Sequence, residues 1–211
     1  MGTPLLTRLL CVVSFATIAA FAHAQTSLDF GKTGPQSSFY FLLDADVQKD
    51  LGLSKQQVDQ IDTIKNEMQA GISRTLGAML PKPGEEVDRE KIGAAITQHT
   101  KTADDKSQKV LSKSQQKRFG ELELQLLSGY ALTRPEIQKK LKLSSNQKTK
   151  IDALVNGGTS ANGDGRKVST VNQMKAQEEK QKRALLSVLT SSQSEQFKKM
   201  QGNPLKRAKK D

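Results

Sequence analysis

The chain offers few side chains that could perform covalent or acid-base chemistry. Its histidines are His23 and His99, and its only cysteine is Cys11. Nucleophilic catalysis by Ser or Cys normally needs an imidazole held beside the nucleophile and a third group that orients it. His99 lies between Ile96 and Ala103 on the apolar side of a predicted helix, where structural histidines are more common than catalytic ones. We therefore expect no enzymatic activity.

Carboxylates and metal ligands are also arranged unfavourably for a site. Asp104-Asp105 and Glu178-Glu179 are adjacent pairs, and neighbouring residues on a helix point in different directions. Zinc and copper prefer several His or Cys ligands, and the segment 156–164 lacks the alternating carboxylates of a calcium loop. We predict no cofactor and no specific metal site. A contribution of His99 to a metal site stays open, as does a metal-responsive stress protein as an alternative function.

The positive charge of the chain is concentrated in its second half. The net charge is +11. Residues 25–133 contain 14 basic and 15 acidic residues, whereas residues 134–211 contain 18 basic and 7 acidic ones. Phe197 is the only aromatic residue after Tyr130, so the basic half lacks the rings on which nucleic-acid bases stack. We predict no specific nucleic-acid partner.

The first 24 residues have the pattern of an export signal. Arg8 precedes an apolar run over 9–21, which is short for a membrane span, and Ala22-His23-Ala24 forms a small-x-small cleavage site. We predict a periplasmic or secreted protein that is cleaved after Ala24, with an uncleaved anchor as the alternative. Cleavage would remove Cys11, so the mature chain would contain neither disulfides nor a thiol.

The elements that position the remaining residues are marked by a phrase of the form Leu-Ser/Thr-x-x-Gln, which occurs four times. Ser or Thr at a helix N-cap accepts a hydrogen bond from the third helical amide, and Gln at that position can bond the cap residue's own amide. Each copy therefore predicts the start of a helix. The defining residues are Leu53, Ser54, Gln57, Leu111, Ser112, Gln115, Leu143, Ser144, Gln147, Leu189, Thr190 and Gln193.

The helices that follow these caps predict an all-α fold. Apolar residues recur at steps of three and four from Val58 to Met79, and Pro81-Lys82-Pro83-Gly84 ends this helix. A second helix is predicted from about Glu86 to Val110. A helix follows the second cap, and a long helix is predicted over 167–188 in the second half.

The order of these elements repeats within the chain. Residues 47–61 align without gaps to 137–151, a shift of 90, and residues 110–119 align to 188–197, a shift of 78. We predict two duplicated helical hairpin units, elongated and open, after the signal peptide. The predicted boundaries are a signal peptide over 1–24, an N-terminal segment over 25–43, units over 44–128 and 135–201, and a basic disordered tail over 202–211. The segment 156–166 is the predicted loop of the second unit.

This arrangement of paired caps resembles the periplasmic LTxxQ-motif family, the Spy/CpxP-like proteins. The resemblance covers 44–126 and again 135–201, whereas family members carry one such unit. It implies an all-helical, ATP-independent chaperone that binds unfolding clients on a basic surface, or an envelope-stress accessory. The resemblance also implies pairing of chains, so a homodimer stays open beside a monomer whose two units pack together.

Interrupted apolar stripes on the long helices predict thin layers that leave apolar side chains partly accessible beside charge. Such a surface favours weak binding of unfolded or partly folded proteins. The candidate client-binding residues are Lys175, Lys182 and Arg183. The alternative is a structural or regulatory protein that recognises one defined partner. For membranes we expect only a weak contact through the basic tail.

Overall fold

The structure is a computed structural model that describes residues 37–79, 88–157 and 171–207. The predicted signal peptide, the turn at 81–84 and residues 158–166 of the predicted loop lie outside these ranges. Every regular element within them is helical, which confirms the all-α prediction. The elements in chain order are the 3-10 helix η1 (Ser38–Leu43), α1 (Ala45–Asp50), α2 (Lys55–Ala78), α3 (Arg89–Val110), α4 (Lys113–Leu127), the 3-10 helix η2 (Ser128–Thr133), α5 (Pro135–Lys140), α6 (Ser145–Gly157), α7 (Val171–Leu186) and α8 (Ser191–Met200).

The first hairpin consists of α2 and α3, which pack against each other. The apolar stripe of α2 buries Ile61, Ile64 and Met68, as its spacing predicts. Helix α3 begins at Arg89, later than the predicted start near Glu86, because the Asp88 side chain caps the helix by accepting a hydrogen bond from the Lys91 amide at 3.0 Å.

The second hairpin consists of α6 and α7, which also pack against each other. The Gln181 side-chain amide donates to the Leu154 carbonyl at 3.1 Å and so joins the two helices. Helix α7 is described from Val171 and ends at Leu186, two residues before the predicted end, because the next turn leads directly into the cap at Thr190. Its predicted start at Lys167 lies outside the described residues.

The two 3-10 helices lie at the centres of the two packed regions. Helix η1 contacts α1, α2, α3 and α4, and η2 contacts α4, α5, α6 and α7. Phe39 and Leu42 of η1 are fully buried, so the predicted boundary that excluded 25–43 from the first unit is wrong for 38–43. Likewise η2 belongs to the second packed region, although the predicted unit begins only at 135.

Helix α4 joins the two hydrophobic cores. Phe119 and Leu122 are buried in a cluster with residues of η1, α1, α2 and α3. Leu124 and Leu127, on the same helix, are buried in a second cluster with residues of η2, α5, α6, α7 and α8. All described residues belong to one compact unit. The two cores are therefore built on one continuous helix.

The predicted disordered tail has defined contacts over 202–207. The Gln125 side chain of α4 donates to the carbonyls of Gln201 and Asn203, at 2.6 and 2.8 Å, and accepts from the Leu205 amide at 2.8 Å. The Leu205 side chain packs against the first core, and Arg207 pairs with Asp44 at 3.1 Å. The prediction of disorder is wrong for these residues because Gln125 satisfies their backbone groups; residues 208–211 lie outside the described ranges.

Among the described helices, none is both long enough and apolar enough to cross a membrane.

Candidate functional site

All four copies of the recurring phrase form capping boxes. In the first copy the Gln57 amide donates to the Ser54 hydroxyl at 3.2 Å, and the Ser54 amide donates to the Gln57 side-chain oxygen at 3.0 Å. The same pair of bonds occurs in the other three copies, at Ser112 and Gln115, at Ser144 and Gln147, and at Thr190 and Gln193. The predicted caps are therefore present at the residues the phrase marks.

The first two caps are also bonded to each other. Gln57 Nε2 donates to Gln115 Oε1 at 2.8 Å, and Gln115 Nε2 donates back to Gln57 Oε1 at 3.2 Å. Each amide also donates a second hydrogen bond to a backbone carbonyl that precedes the partner glutamine's helix. Gln57 donates to the Val110 carbonyl at 2.9 Å, and Gln115 donates to the Leu51 carbonyl at 3.3 Å. We call this arrangement the first cap junction.

The last two caps form a second cap junction with the same bonds. Gln147 Nε2 donates to Gln193 Oε1 at 2.6 Å, and Gln193 Nε2 donates back at 3.3 Å. Their second donors go to the Val188 carbonyl at 2.9 Å and to the Leu141 carbonyl at 3.1 Å. These two acceptors stand 78 and 90 residues after those of the first cap junction, the same shifts that relate the aligned sequences.

Each of the four glutamine amides thereby uses both of its donors and accepts two hydrogen bonds. A side-chain amide has two donors and an oxygen with two lone pairs, so its capacity is fully used. Sequence reasoning identified the caps but missed their pairing, because a capping box is a local pattern and the partner glutamine lies 58 or 46 residues away. The paired glutamines hold the starts of two helices in fixed positions relative to each other, which is a structural role.

Charged groups border the first cap junction and form ion pairs with one another. The Arg118 guanidinium binds the Asp50 carboxylate through two contacts, at 2.7 and 3.1 Å, and binds Glu121 at 2.9 Å. The Asp50 side chain raises the pKa of Arg118. The Arg118 and Asp50 side chains are 20% and 15% exposed, so this pair is largely shielded from solvent. Two-point contact of this kind is the strong form of an ion pair.

A second charged cluster lies between η1, α3, α4 and α5. Asp104 accepts hydrogen bonds from the Phe39 amide at 2.6 Å and the Ser37 hydroxyl at 3.1 Å. Arg134 contacts Glu123 at 3.4 Å. Burial raises the pKa values of Asp104 and Glu123, although these hydrogen bonds and the Arg134 charge act in the opposite direction. Both carboxyls are thus easier to protonate than ordinary ones.

The three predicted client-binding residues differ in their surroundings. Lys175 and Arg183 are exposed on α7. The Lys182 side chain is only 17% exposed and pairs with Glu178 at 2.8 Å and Glu179 at 3.1 Å. These two carboxylates raise the pKa of Lys182 against the effect of burial. Lys182 is therefore a poor candidate for contact with a client, because its charge is already paired within its own helix.

His99 has a structural environment in the first hairpin. Its Nε2 lies 2.9 Å from the Thr75 hydroxyl, and its ring lies so close to Gly71 that a Cβ added there would be 2.7 Å from Nδ1. Among the described residues, no group of three or more His, Cys, Asp or Glu side chains could hold a metal ion.

Comparison of the chain with models of protein families, with curated proteins and with solved structures gives no match in any of the three.

Proposed function

We propose that this chain is an exported, all-helical binding protein that captures unfolded clients without ATP, as a chaperone or an envelope-stress accessory. The proposal rests on the export pattern of residues 1–24, on the resemblance of the paired caps to the LTxxQ-motif proteins, and on one structural observation. That observation is the incomplete burial of apolar side chains on the first hairpin.

Among the described residues, the face of α3 that packs in the first hairpin buries only small side chains. Its buried side chains are those of Thr100, Ala103 and Ser107, which are small and partly polar. Towards the start of α3, Ile92 and Ile96 are only half-buried. Large aliphatic groups that stay accessible can make short-range, unselective contacts with unfolded chains.

Met79 extends this accessible surface from the opposite helix. Met79 follows the last residue of α2, one turn beyond Thr75, and Ile96 lies one turn before His99 on α3, so both stand on the same side of the Thr75–His99 contact along the hairpin. Met79 is 37% exposed, and a flexible thioether suits variable partners. Lys91 and Lys101 are exposed on the same helix as the two isoleucines, so the apolar groups stand beside charge.

An aggregation assay with several unrelated clients, without nucleotide, tests the proposal. We expect the protein to protect several clients, and we expect Met79→Ser with Ile96→Thr to weaken protection at a temperature where the variant is folded. Tyr40→Ser is the matched control, since Tyr40 is 39% exposed but lies on η1. Protection of no client, or of one client alone, would favour the alternative of a structural or regulatory protein with one defined partner.

A further inference from the structure

The residues that border the two cap junctions differ in charge at equivalent positions. In the first, Arg118 lies between the carboxylates of Asp50 and Glu121. By the shifts of 90 and 78, these three positions correspond to Gln196, Lys140 and Lys199 in the second. A carboxylate, a cation and a carboxylate are thus replaced by a lysine, an amide and a lysine.

The second set of residues is brought together by the fold. Gln196 Nε2 donates to the Lys140 carbonyl at 3.0 Å, so α8 lies against the end of α5. Lys199 stands three residues after Gln196 on α8 and therefore lies on the same face of that helix. Lys140 and Lys199 are both exposed, and so are Lys139 and Lys142 beside them. Within the described part of the chain, none of these four lysines takes part in an ion pair.

We propose that this lysine face, defined by Lys139, Lys140, Lys142 and Lys199, binds the carboxylates of an acidic polypeptide segment. This proposal rests on the proposed function, because it names the kind of client segment that the lysine face attracts. The ligand follows from charge complementarity: in the first cap junction the chain supplies both the cation, Arg118, and its two carboxylates, whereas in the second it places lysines at the carboxylate positions and an uncharged amide at the position of Arg118. The carboxylates that pair with these lysines therefore come from another polypeptide.

A membrane surface is a weaker candidate for this face. Peripheral membrane binding normally combines basic residues with apolar anchors that enter the interface. The large apolar side chains that are exposed among the described residues are Tyr40 and Met79, both in the first half of the chain. The lysine face has cations but lacks such an anchor.

A structural role for these lysines is the competing explanation. Lys139 and Lys140 lie in the last turn of α5, and Lys199 lies in the last turn of α8. Cations at these positions favour the negative end of the helix dipole. In that case their removal would lower stability and leave binding unchanged.

The test compares two variants of the full chain. The first, Lys140→Asp with Gln196→Arg and Lys199→Glu, copies the charges of the first cap junction into the second. The control, Lys109→Gln with Lys113→Gln and Lys117→Gln, removes exposed cations from α3 and α4; each variant lowers the net charge by three. The probes are a labelled octaglutamate peptide, its octaglutamine counterpart, and vesicles of phosphatidylglycerol or phosphatidylcholine, all at low salt. Unfolding and client aggregation are followed in parallel.

We expect the wild type to bind octaglutamate and not octaglutamine, the first variant to bind it about tenfold more weakly, and the control to bind nearly as well as wild type. Equal losses in both variants, no octaglutamate binding by the wild type, or preferential binding of phosphatidylglycerol vesicles would overturn the proposal. Lower stability of the first variant with unchanged peptide binding would also overturn it. If the wild type binds the peptide but protects no client, the proposed function fails while this inference stands.

Discussion

The two cap junctions share their hydrogen bonds and differ in their charges. Each has two capping boxes, two glutamines that bond each other, and two backbone carbonyls that accept the remaining donors. The border of the first is closed by the ion pairs of Arg118, whereas the border of the second exposes lysines. The part that recurs is the part that fixes helix positions. The part that differs is largely shielded in the first junction and exposed in the second, where a partner can reach it.

The two 3-10 helices extend the comparison into the cores and give the largest expected effect. Position 39 of η1 is a buried Phe, and the equivalent position of η2 is Gly129. A Cβ at Gly129 would clash with the Lys182 carbonyl and lie 2.7 Å from the Leu185 Cβ. We expect Gly129→Ala to lower the free energy of unfolding by about 3 kcal/mol, since the backbone of α7 would have to move.

Gly120→Ala is the matched control for this change. A Cβ at Gly120, inside α4, meets nothing within 4 Å. We expect this substitution to raise stability by about 0.5–1 kcal/mol through helix propensity alone. Urea unfolding followed by circular dichroism measures both variants. A Gly129→Ala variant as stable as Gly120→Ala would show that α7 does not approach η2 so closely.

Removal of one glutamine should weaken either cap junction to a similar extent. Gln57→Leu takes the acceptor from the Ser54 amide and the donor from the Val110 carbonyl, and it leaves Gln115 without its partner. We expect a loss of about 2 kcal/mol, and the same for Gln147→Leu in the second. Chemical denaturation measures both. A large loss in one and none in the other would end the comparison, because the shared bonds would then have different roles.

Loss of a single cap should have a smaller effect. Ser54→Ala and Ser144→Ala each remove one acceptor for a first-turn amide and leave the glutamine pair in place. We expect a loss of about 1 kcal/mol in each, the usual value for an N-cap. Ser→Thr at the same positions is the control, since Thr190 already serves as a cap in this chain. Thermal unfolding of the four variants tests the prediction.

The smallest expected effect concerns pH and the buried carboxyls of Asp104 and Glu123, which have no acidic counterparts at the aligned positions of the second half. Lys182 stands at the position equivalent to Asp104. Burial raises the pKa values of Asp104 and Glu123, which are also influenced by Arg134, Asp105 and Glu136. The folded state therefore binds protons more readily than the unfolded chain, so stability falls as the pH rises from ordinary carboxyl values, about 4, through the raised ones.

Acidification from pH 7 towards pH 4 should consequently raise the melting temperature, on the order of 2 °C for a chain of this size. Asp104→Asn with Glu123→Gln should flatten this dependence. Below about pH 4 the sign reverses. Although burial acts against it, hydrogen bonds from the Asp46 and Val47 amides and from Arg207 lower the pKa of Asp44, whose contribution is lost on protonation. A melting temperature that falls steadily from pH 7 to pH 4 would count against raised pKa values of Asp104 and Glu123.

The helices and their caps can be predicted from the sequence because both are local patterns, and the aligned segments carry Ser or Thr and Gln at the same cap positions. The sequence does not reveal which caps meet, since the partners of Gln57 and Gln147 depend on the path of whole hairpins. The alignment with a shift of 90 could have been extended to SFYFLLD and SGYALTR, at 38–44 and 128–134, which share Ser, Tyr and Leu. That extension predicts η1 and η2, but the exchange of Phe39 for Gly129 conceals their common role.

The most direct test of the central claim, that the recurring phrase serves folding and not recognition, is a double-mutant cycle on Gln147 and Gln193. The single changes to Leu and the double change are compared for unfolding free energy and for client protection per folded molecule. We predict a coupling energy of about 1 kcal/mol or more, with unchanged protection at temperatures where the variants are folded. Full stability without coupling, together with lost protection, would contradict the account and make the phrase a recognition element.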